Sequence, residues 1–241
     1  MEKQLNELVE RLKRAEGENL QAVVLYGSAA SDEYRPKHSD LNVLCLLRQL
    51  NPAALGKLHA AFKWWTKKGY PAALVFTLEE LERAADVYAM EMLDIRASHR
   101  VLYGEDVFSN FDVPLKLHRG QVERELRHNL IRLRQGYIAA AEDPKALRAL
   151  MVQSASTFAV LCRHVLIALG EQAPASKREA VGRLAATLGF DPAPFETLFE
   201  VRSGREKEKS LDAPALFKSY FEAITRAVNE VDRRFAELAG A

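Results

Sequence analysis

The amino-acid sequence predicts an α/β module built around a mixed sheet, followed by an all-α helical bundle. Up to residue 113, short β-branched runs alternate with segments of helical periodicity, which is typical of a sheet covered by helices. From residue 114 onward the periodicity is helical and no convincing strand is found. The change in pattern therefore predicts two domains, residues 1–113 and residues 114–241.

The first half carries recognisable start and stop signals. Gly17 follows one periodic segment, and Pro52 opens another that ends before Gly69, as expected at helix ends. Thr77 and Glu80 have the spacing of a capping box. The predicted helices are 2–16, 52–68 and 77–85, and the predicted strands are 21–26, 40–47, 72–76 and 87–95.

The second half reads as five helices. The first has an apolar seam, and the second begins with Asp143 and Pro144, ends before Gly170 and is apolar almost all round. This second helix is therefore expected at the centre of the bundle. Helical bundles bind ligands between facing helices, so the second half is interpreted as a substrate-binding or dimerising domain.

Composition excludes several classes of protein. The 34 Lys and Arg residues nearly balance the 33 Asp and Glu residues, so a globally basic nucleic-acid binder is not indicated. No run approaches the ~18 uninterrupted apolar residues of a membrane span. The charged, periodic N-terminus does not resemble a signal peptide. Cys45 and Cys162 lie in apolar runs and are interpreted as buried thiols. A cytoplasmic protein without a membrane partner is expected.

The most informative segment joins the first two predicted strands. With a strand period of two, Asp40 and Asn42 share one face at the open end of the second strand, and both faces become apolar beyond them. Gly27 and Ser28 end the preceding strand, where a glycine lets the backbone approach a ligand closely. A turn of this kind with nearby carboxylates is the minimum needed to hold a metal–triphosphate complex.

These residues resemble a known signature. The string LYGSAASDEYRPKHSDLNVL, residues 25–44, is similar to that of the DNA polymerase β-type nucleotidyltransferase superfamily. That signature is an apolar strand, Gly-Gly or Gly-Ser, a loop of about this length, and then Asp-x-Asp or Asp-x-Glu. The string looks most like the small bacterial branch, which holds kanamycin-type antibiotic nucleotidyltransferases and minimal nucleotidyltransferases.

The resemblance implies transfer of a nucleoside monophosphate from a nucleoside triphosphate (NTP) to a hydroxyl or phosphate acceptor. It implies two Mg²⁺ or Mn²⁺ ions held by three carboxylates. Gly27 and Ser28 would contact the triphosphate, and Asp40 would be a metal and catalytic ligand. The loop residues Arg35, Lys37 and His38 could also meet the triphosphate or the acceptor, and a solvated loop surface explains them equally well; Lys37 is the choice for the triphosphate. The third carboxylate normally comes from a later strand. Glu91 in the strand predicted at 87–95 is the choice for this role, and Asp94, on the opposite face of that strand, is the alternative.

Asn42 occupies the second ligand position and departs from the signature. An amide oxygen can bind Mg²⁺, but it carries no charge to offset the repulsion between two cations. The leading hypothesis is an enzyme acting on a small molecule, a nucleic-acid end or a protein hydroxyl. The alternative is a catalytically impaired, antitoxin-like module that binds a nucleotide or a partner. A basic helix from Lys116 to Arg134 leaves nucleic-acid binding as a third hypothesis, and a homodimer remains open.

Overall fold

The structure, a computed structural model, is described for residues 1–30 and 40–239. It divides into two compact units, Met1–Pro114 and Leu115–Ala241. The division after Pro114 lies one residue beyond the boundary predicted from the sequence. Each unit has its own buried core.

The first unit is built on a four-stranded mixed sheet, which confirms the predicted fold class. Its strands are β1 (Leu20–Tyr26), β2 (Asn42–Leu47), β3 (Leu74–Phe76) and β4 (His99–Gly104), in the spatial order β3-β2-β1-β4. β1 is antiparallel to both β2 and β4, whereas β2 and β3 are parallel. The connection between β2 and β3 contains helix α2 (Pro52–Lys67), since parallel neighbours need a crossover.

The inner strands β1 and β2 are mostly buried on both faces of the sheet, whereas β3 and β4 are half-buried or exposed. Val43 and Cys45 of β2 belong to one hydrophobic cluster with residues of α1 (Glu2–Glu16) and α2. Leu44 and Leu46 point to the other face and are also fully buried. This alternation confirms the period of two predicted for β2, although the strand begins at Asn42 and not at Asp40.

Side-chain hydrogen bonds confirm the predicted starts of two helices in the first unit. The Asn51 side chain accepts a hydrogen bond from the N–H of Ala54 at the start of α2. Thr77 and Glu80 form a complete capping box at α3 (Leu78–Ala84). The predicted helices at 52–68 and 77–85 are therefore correct to within a residue or two.

The strand predicted at 87–95 is wrong. The segment forms helix α4 (Ala89–Ala97), and the last strand, β4, begins only at His99. The run is rich in Ala, Met, Leu and Glu, which are strong helix formers. Its buried residues Ala89, Met92 and Leu93 have the i, i+3, i+4 spacing of a helix. A short apolar run with few polar residues fits both periods, so its pattern alone does not separate helix from strand.

The second unit contains five α-helices among the described residues: α5 (His118–Ala140), α6 (Pro144–Ala168), α7 (Lys177–Leu188), α8 (Ala193–Ser203) and α9 (Ala213–Ala239). α6 packs against all four others, as its nearly uniform apolar surface predicted. His164 of α6 is fully buried, and its Nδ1 lies 3.1 Å from Nε2 of the buried His118 on α5. His164 is therefore a packing residue that also has a polar partner.

Among the described helices, α6 alone has the length and apolar composition to cross a membrane. Just over half (56%) of its most apolar window is buried inside the structure. The central helix of a bundle has the same composition because several neighbouring helices pack against it.

Gly104 at the end of β4 provides a test of the sheet packing. Its φ is +82°, and a Cβ there would lie 2.1 Å from the backbone oxygen of Gln21. We expect Gly104→Ala to lower the free energy of unfolding of the first unit by about 2–3 kcal/mol, because both the backbone angle and the contact are unfavourable for alanine. Denaturant unfolding followed by tryptophan fluorescence reports on this unit, since Trp64 and Trp65 are the only tryptophans.

Gly56 is the matched control. It lies in α2, and a Cβ added to it would have no described atom outside its own helix turn within 4 Å. Gly56→Ala should raise the free energy of unfolding by about 0.5–1 kcal/mol, because alanine loses less backbone entropy than glycine in a helix. Equal effects of the two substitutions would contradict the packing described for β4.

Candidate functional site

The candidate site lies at one end of the sheet, where β1 ends and β2 and β4 begin. Tyr26 pairs with Asn42 on one side and with His99 on the other. Directly opposed residues of antiparallel strands place their side chains on the same face. The three side chains therefore stand in a row across three strands, and we call this end of the sheet the mouth.

Gly27 is held at the mouth by two hydrogen bonds to Ser98. The N–H of Gly27 donates to the Ser98 carbonyl oxygen at 3.1 Å, and Ser98 Oγ donates to the Gly27 carbonyl oxygen at 3.2 Å. With a φ of +76°, Gly27 turns the chain out of β1 into the 3-10 turn Gly27–Ala30. The N–H of Ser98 in turn donates to the carbonyl oxygen of Asp94 at 3.0 Å, which ties the end of α4 to the same point.

Asn42 packs against this glycine. A Cβ on Gly27 would lie 3.3 Å from Nδ2 of Asn42, which is the nearest described atom beyond the glycine's chain neighbours. The amide nitrogen is thus the end of the Asn42 side chain that faces the turn. Asn42 and Ser28 are half-buried, whereas Asp40 is exposed. The structure therefore brings Gly27 and Asn42 into contact, with Ser28 and Asp40 close to them in the chain.

Three residues at the mouth have no role that the sequence predicts: Tyr26, Ser98 and His99. Burial raises the pKa of the Tyr26 phenol, which keeps this group neutral. His99 Nε2 lies 2.9 Å from Oδ1 of Asp106, and the hydrogen bonds from His99 and from two backbone N–H groups lower the pKa of Asp106 against the opposing effect of burial. Correct assignment of β4 would have revealed Ser98 and His99, since Ser98 immediately precedes this strand and His99 begins it.

Comparison with known proteins agrees with this geometry. Residues 5–99 match the family model described as a nucleotidyltransferase domain. The match covers 95 of the 241 residues and lies within the first unit, which is therefore similar to nucleotidyltransferase domains. The matched residues include the whole of β1 and β2 and the Gly27 turn, which are the elements that build the mouth.

A solved structure resembles the chain over almost its full length. Spectinomycin adenyltransferase AAD(9) from Enterococcus faecialis, in a crystal structure with ATP and spectinomycin, matches with a TM-score of 0.56 at 15% sequence identity. The match covers 96% of this chain and 99% of that protein. At this identity the likeness concerns the fold alone. No curated protein matches the sequence.

Neither candidate for the third carboxylate of the nucleotidyltransferase domain lies on a strand. Glu91 and Asp94 are both in α4, so the prediction that they occupy opposite faces of a strand is wrong. Three residues apart on a helix, they lie on neighbouring positions of one side. Glu91 is exposed and precedes Ser98 by seven residues, about 10 Å of helix rise. Asp94 is half-buried, and its backbone is bonded to Ser98 directly.

The described residues do not assemble the three carboxylates of a two-metal site. In residues 1–30 and 40–239, no group of three or more His, Cys, Asp or Glu side chains is arranged to hold a metal ion. β3 consists of Leu74, Val75 and Phe76, so the strand beside β2 offers no carboxylate. Lys37, predicted to contact the triphosphate, lies outside the described residues. Of the predicted ligands, the described part of the mouth thus offers one carboxylate, Asp40, and one amide, Asn42.

The contact between Gly27 and Asn42 can be tested without a ligand. Gly27→Ala should cost about 1–2 kcal/mol because of the positive φ, and should also displace the Asn42 amide. Gly17→Ala is the matched control, since Gly17 has a φ of +53° but no described atom within 4 Å of an added Cβ apart from its chain neighbours. NMR signals of the Asn42 side-chain amide should shift only in Gly27→Ala. Unchanged Asn42 signals in that variant would contradict the contact.

Proposed function

We propose that this protein binds a nucleoside triphosphate at the mouth and transfers its nucleoside monophosphate to a hydroxyl or phosphate acceptor. The observation that carries the proposal is the Gly27-Ser28 turn, held against Asn42 within a domain that matches the nucleotidyltransferase family. ATP is the first donor to test, because the AAD(9) structure was determined with ATP.

In this proposal the main role of the residues at the mouth is to bind and orient the triphosphate. The Asn42 amide packs where a Gly27 side chain would lie, so in this proposal the phosphate groups meet the turn beyond Gly27. The Ser28 hydroxyl and the backbone of the following turn bind phosphate oxygens. The hydrogen bonds between Gly27 and Ser98 hold this turn in place before the ligand arrives, which lowers the cost of ordering it.

The side chains proposed as metal ligands at the mouth are better suited to bind one divalent cation than two. Mg²⁺ in nucleotide sites is commonly held by one or two protein carboxylates together with the substrate phosphates. Asp40 would supply a charged ligand and Asn42 a neutral one. A bound cation would neutralise charge on the phosphates. The loss of one carboxylate at position 42 should weaken a second cation most, because two close cations repel each other.

The second candidate function is nucleotide or partner binding without transfer, in a regulatory or antitoxin-like module. The neutral amide at Asn42 favours it, together with the absence of a carboxylate from β3. In that case the fold would retain the triphosphate site and lose the charge needed for the transfer step. The two candidates differ in one measurable outcome, which is covalent labelling of an acceptor.

The decisive experiment incubates the protein with radiolabelled NTPs and Mg²⁺ or Mn²⁺ in the presence of lysate acceptors. We expect weak labelling by the wild type, loss of labelling in Asp40→Ala, and stronger labelling in Asn42→Asp, which restores the missing charge. Asp112→Ala is the control, because Asp112 is an exposed aspartate of the same unit. Labelling by Asn42→Asp alone would support the impaired module, and silence from every variant would refute transfer.

A separate measurement distinguishes the two candidates for the third carboxylate. We expect Asp94→Asn to weaken Mg²⁺-dependent ATP binding by about tenfold, because Asp94 is anchored to the mouth through Ser98. Glu91→Gln should have little effect, since Glu91 is exposed a further turn along α4. Isothermal titration calorimetry with and without Mg²⁺ gives both values. A larger loss in Glu91→Gln would restore Glu91 as the better candidate.

A further inference from the structure

The second unit contains a groove that the proposed transfer reaction does not use. It lies between the C-terminal part of α5 and the first turns of α9 and has a volume of about 650 Å³. This is within the range of about 300–1,000 Å³ that is usual for small-molecule sites. We call it the α5–α9 groove. Its main lining residues are Arg134, Tyr137, Ile138, Phe217, Lys218 and Phe221.

Aromatic rings form a flat shelf in the groove. The rings of Tyr137 and Phe217 are stacked, with centroids 4.3 Å apart and planes 14° apart. Phe217 and Phe221 continue the stack at 5.8 Å and 17°. Tyr137 is 41% exposed and the adjacent Ile138 is 79% exposed, although hydrophobic side chains are normally covered. A planar ring laid on this shelf would extend a stack that already exists.

The charges around the shelf are mainly positive. The Arg134 guanidinium lies 5.9 Å from the centre of the Phe221 ring, and Lys218 also lines the groove from α9. Among the side chains that the structure describes, no carboxylate pairs with either cation, whereas Arg127 of the same helix α5 is paired with Asp232. Glu222 is the single acidic residue of the described lining. The groove therefore has two unneutralised cations beside an apolar, aromatic surface.

We propose that the α5–α9 groove binds a planar aromatic small molecule that carries an anionic group. The ring packs on the exposed Tyr137 at one end of the stack, and the anionic group lies between Arg134 and Lys218. One guanidinium group can donate two parallel hydrogen bonds to the oxygens of a carboxylate or phosphate, and this orients the ligand. This binding is separate from the proposed transfer reaction and does not depend on it.

A small molecule explains the groove better than a second copy of the chain does. In a two-fold contact each residue meets the same patch on the partner, so two Arg134 and two Lys218 side chains would be brought together around only two Glu222 carboxylates. Such an excess of like charge is unfavourable in a desolvated interface. An anionic ligand removes this conflict because it neutralises the cations that the described chain leaves unpaired.

Three indole probes test the proposal with one ring and different charges: indoleacetate, indole and tryptamine. We expect indoleacetate to bind at least about fivefold more tightly than tryptamine, because only its carboxylate complements the two cations. Binding is measured by calorimetry on the full chain without nucleotide and should be unchanged in Asp40→Ala. Loss of indoleacetate binding in Asp40→Ala would place the probe at the mouth and overturn the proposal.

Substitutions of residues that line the α5–α9 groove test whether the probes bind there. Arg134→Gln and Lys218→Gln should each weaken indoleacetate binding by about three- to fivefold and leave indole binding unchanged. Arg132→Gln is the matched control, since Arg132 is an exposed cation of α5 outside the groove. Tyr137→Leu, which keeps an apolar side chain but removes the ring, should weaken all three probes by at least about fivefold.

Several results would overturn the proposal. One is equal binding of indoleacetate and tryptamine, and another is an equal loss in Arg132→Gln and Arg134→Gln. Unchanged binding in Tyr137→Leu would exclude the aromatic shelf. Sedimentation of the wild type and Tyr137→Leu gives a further check: a dimer that dissociates in the variant would identify the groove as an interface between copies.

Discussion

The pairing of β1 with two antiparallel neighbours is the constraint on which the first unit depends. Because β1 is central, its last residue, Tyr26, fixes the positions of Asn42 on β2 and His99 on β4 together. The hydrogen bonds between Gly27 and Ser98 close the end of this three-stranded arrangement. Because both its N–H and its C=O are bonded to Ser98, Gly27 keeps the end of β1 beside the start of β4.

The same constraint explains why position 42 matters chemically. The half-buried Asn42 has its amide nitrogen against Gly27, so its role at the mouth includes packing. A carboxylate at this position would place negative charge beside the turn. That charge would be stabilised only when a bound cation balances it. The neutral amide of Asn42 is thus compatible with an intact turn.

The second unit exposes apolar surface in the α5–α9 groove. Tyr137 and Ile138 are exposed there, whereas the inner strands β1 and β2 of the first unit are mostly buried. The charge is also uneven: Leu115–Ala241 carries 20 Lys and Arg against 16 Asp and Glu, although the whole chain is nearly neutral. Several of these cations, Arg127 among them, are neutralised by ion pairs. Arg134 and Lys218 have no such partner among the described side chains, which concentrates positive charge at the groove.

The sequence by itself determined the order of the two architectures, the buried alternation of β2 and the Gly27-Ser28 turn before Asp40 and Asn42. These features depend on local periods and on the special backbone freedom of glycine, which can be read from neighbouring residues. Only the tertiary structure decided that residues 89–97 form a helix and that β4 completes the mouth. A short apolar run satisfies either period, and which one forms depends on the strands and helices that it packs against. The α5–α9 groove could not be predicted from the sequence. It is formed by residues about 80 positions apart, and their proximity depends on helix packing.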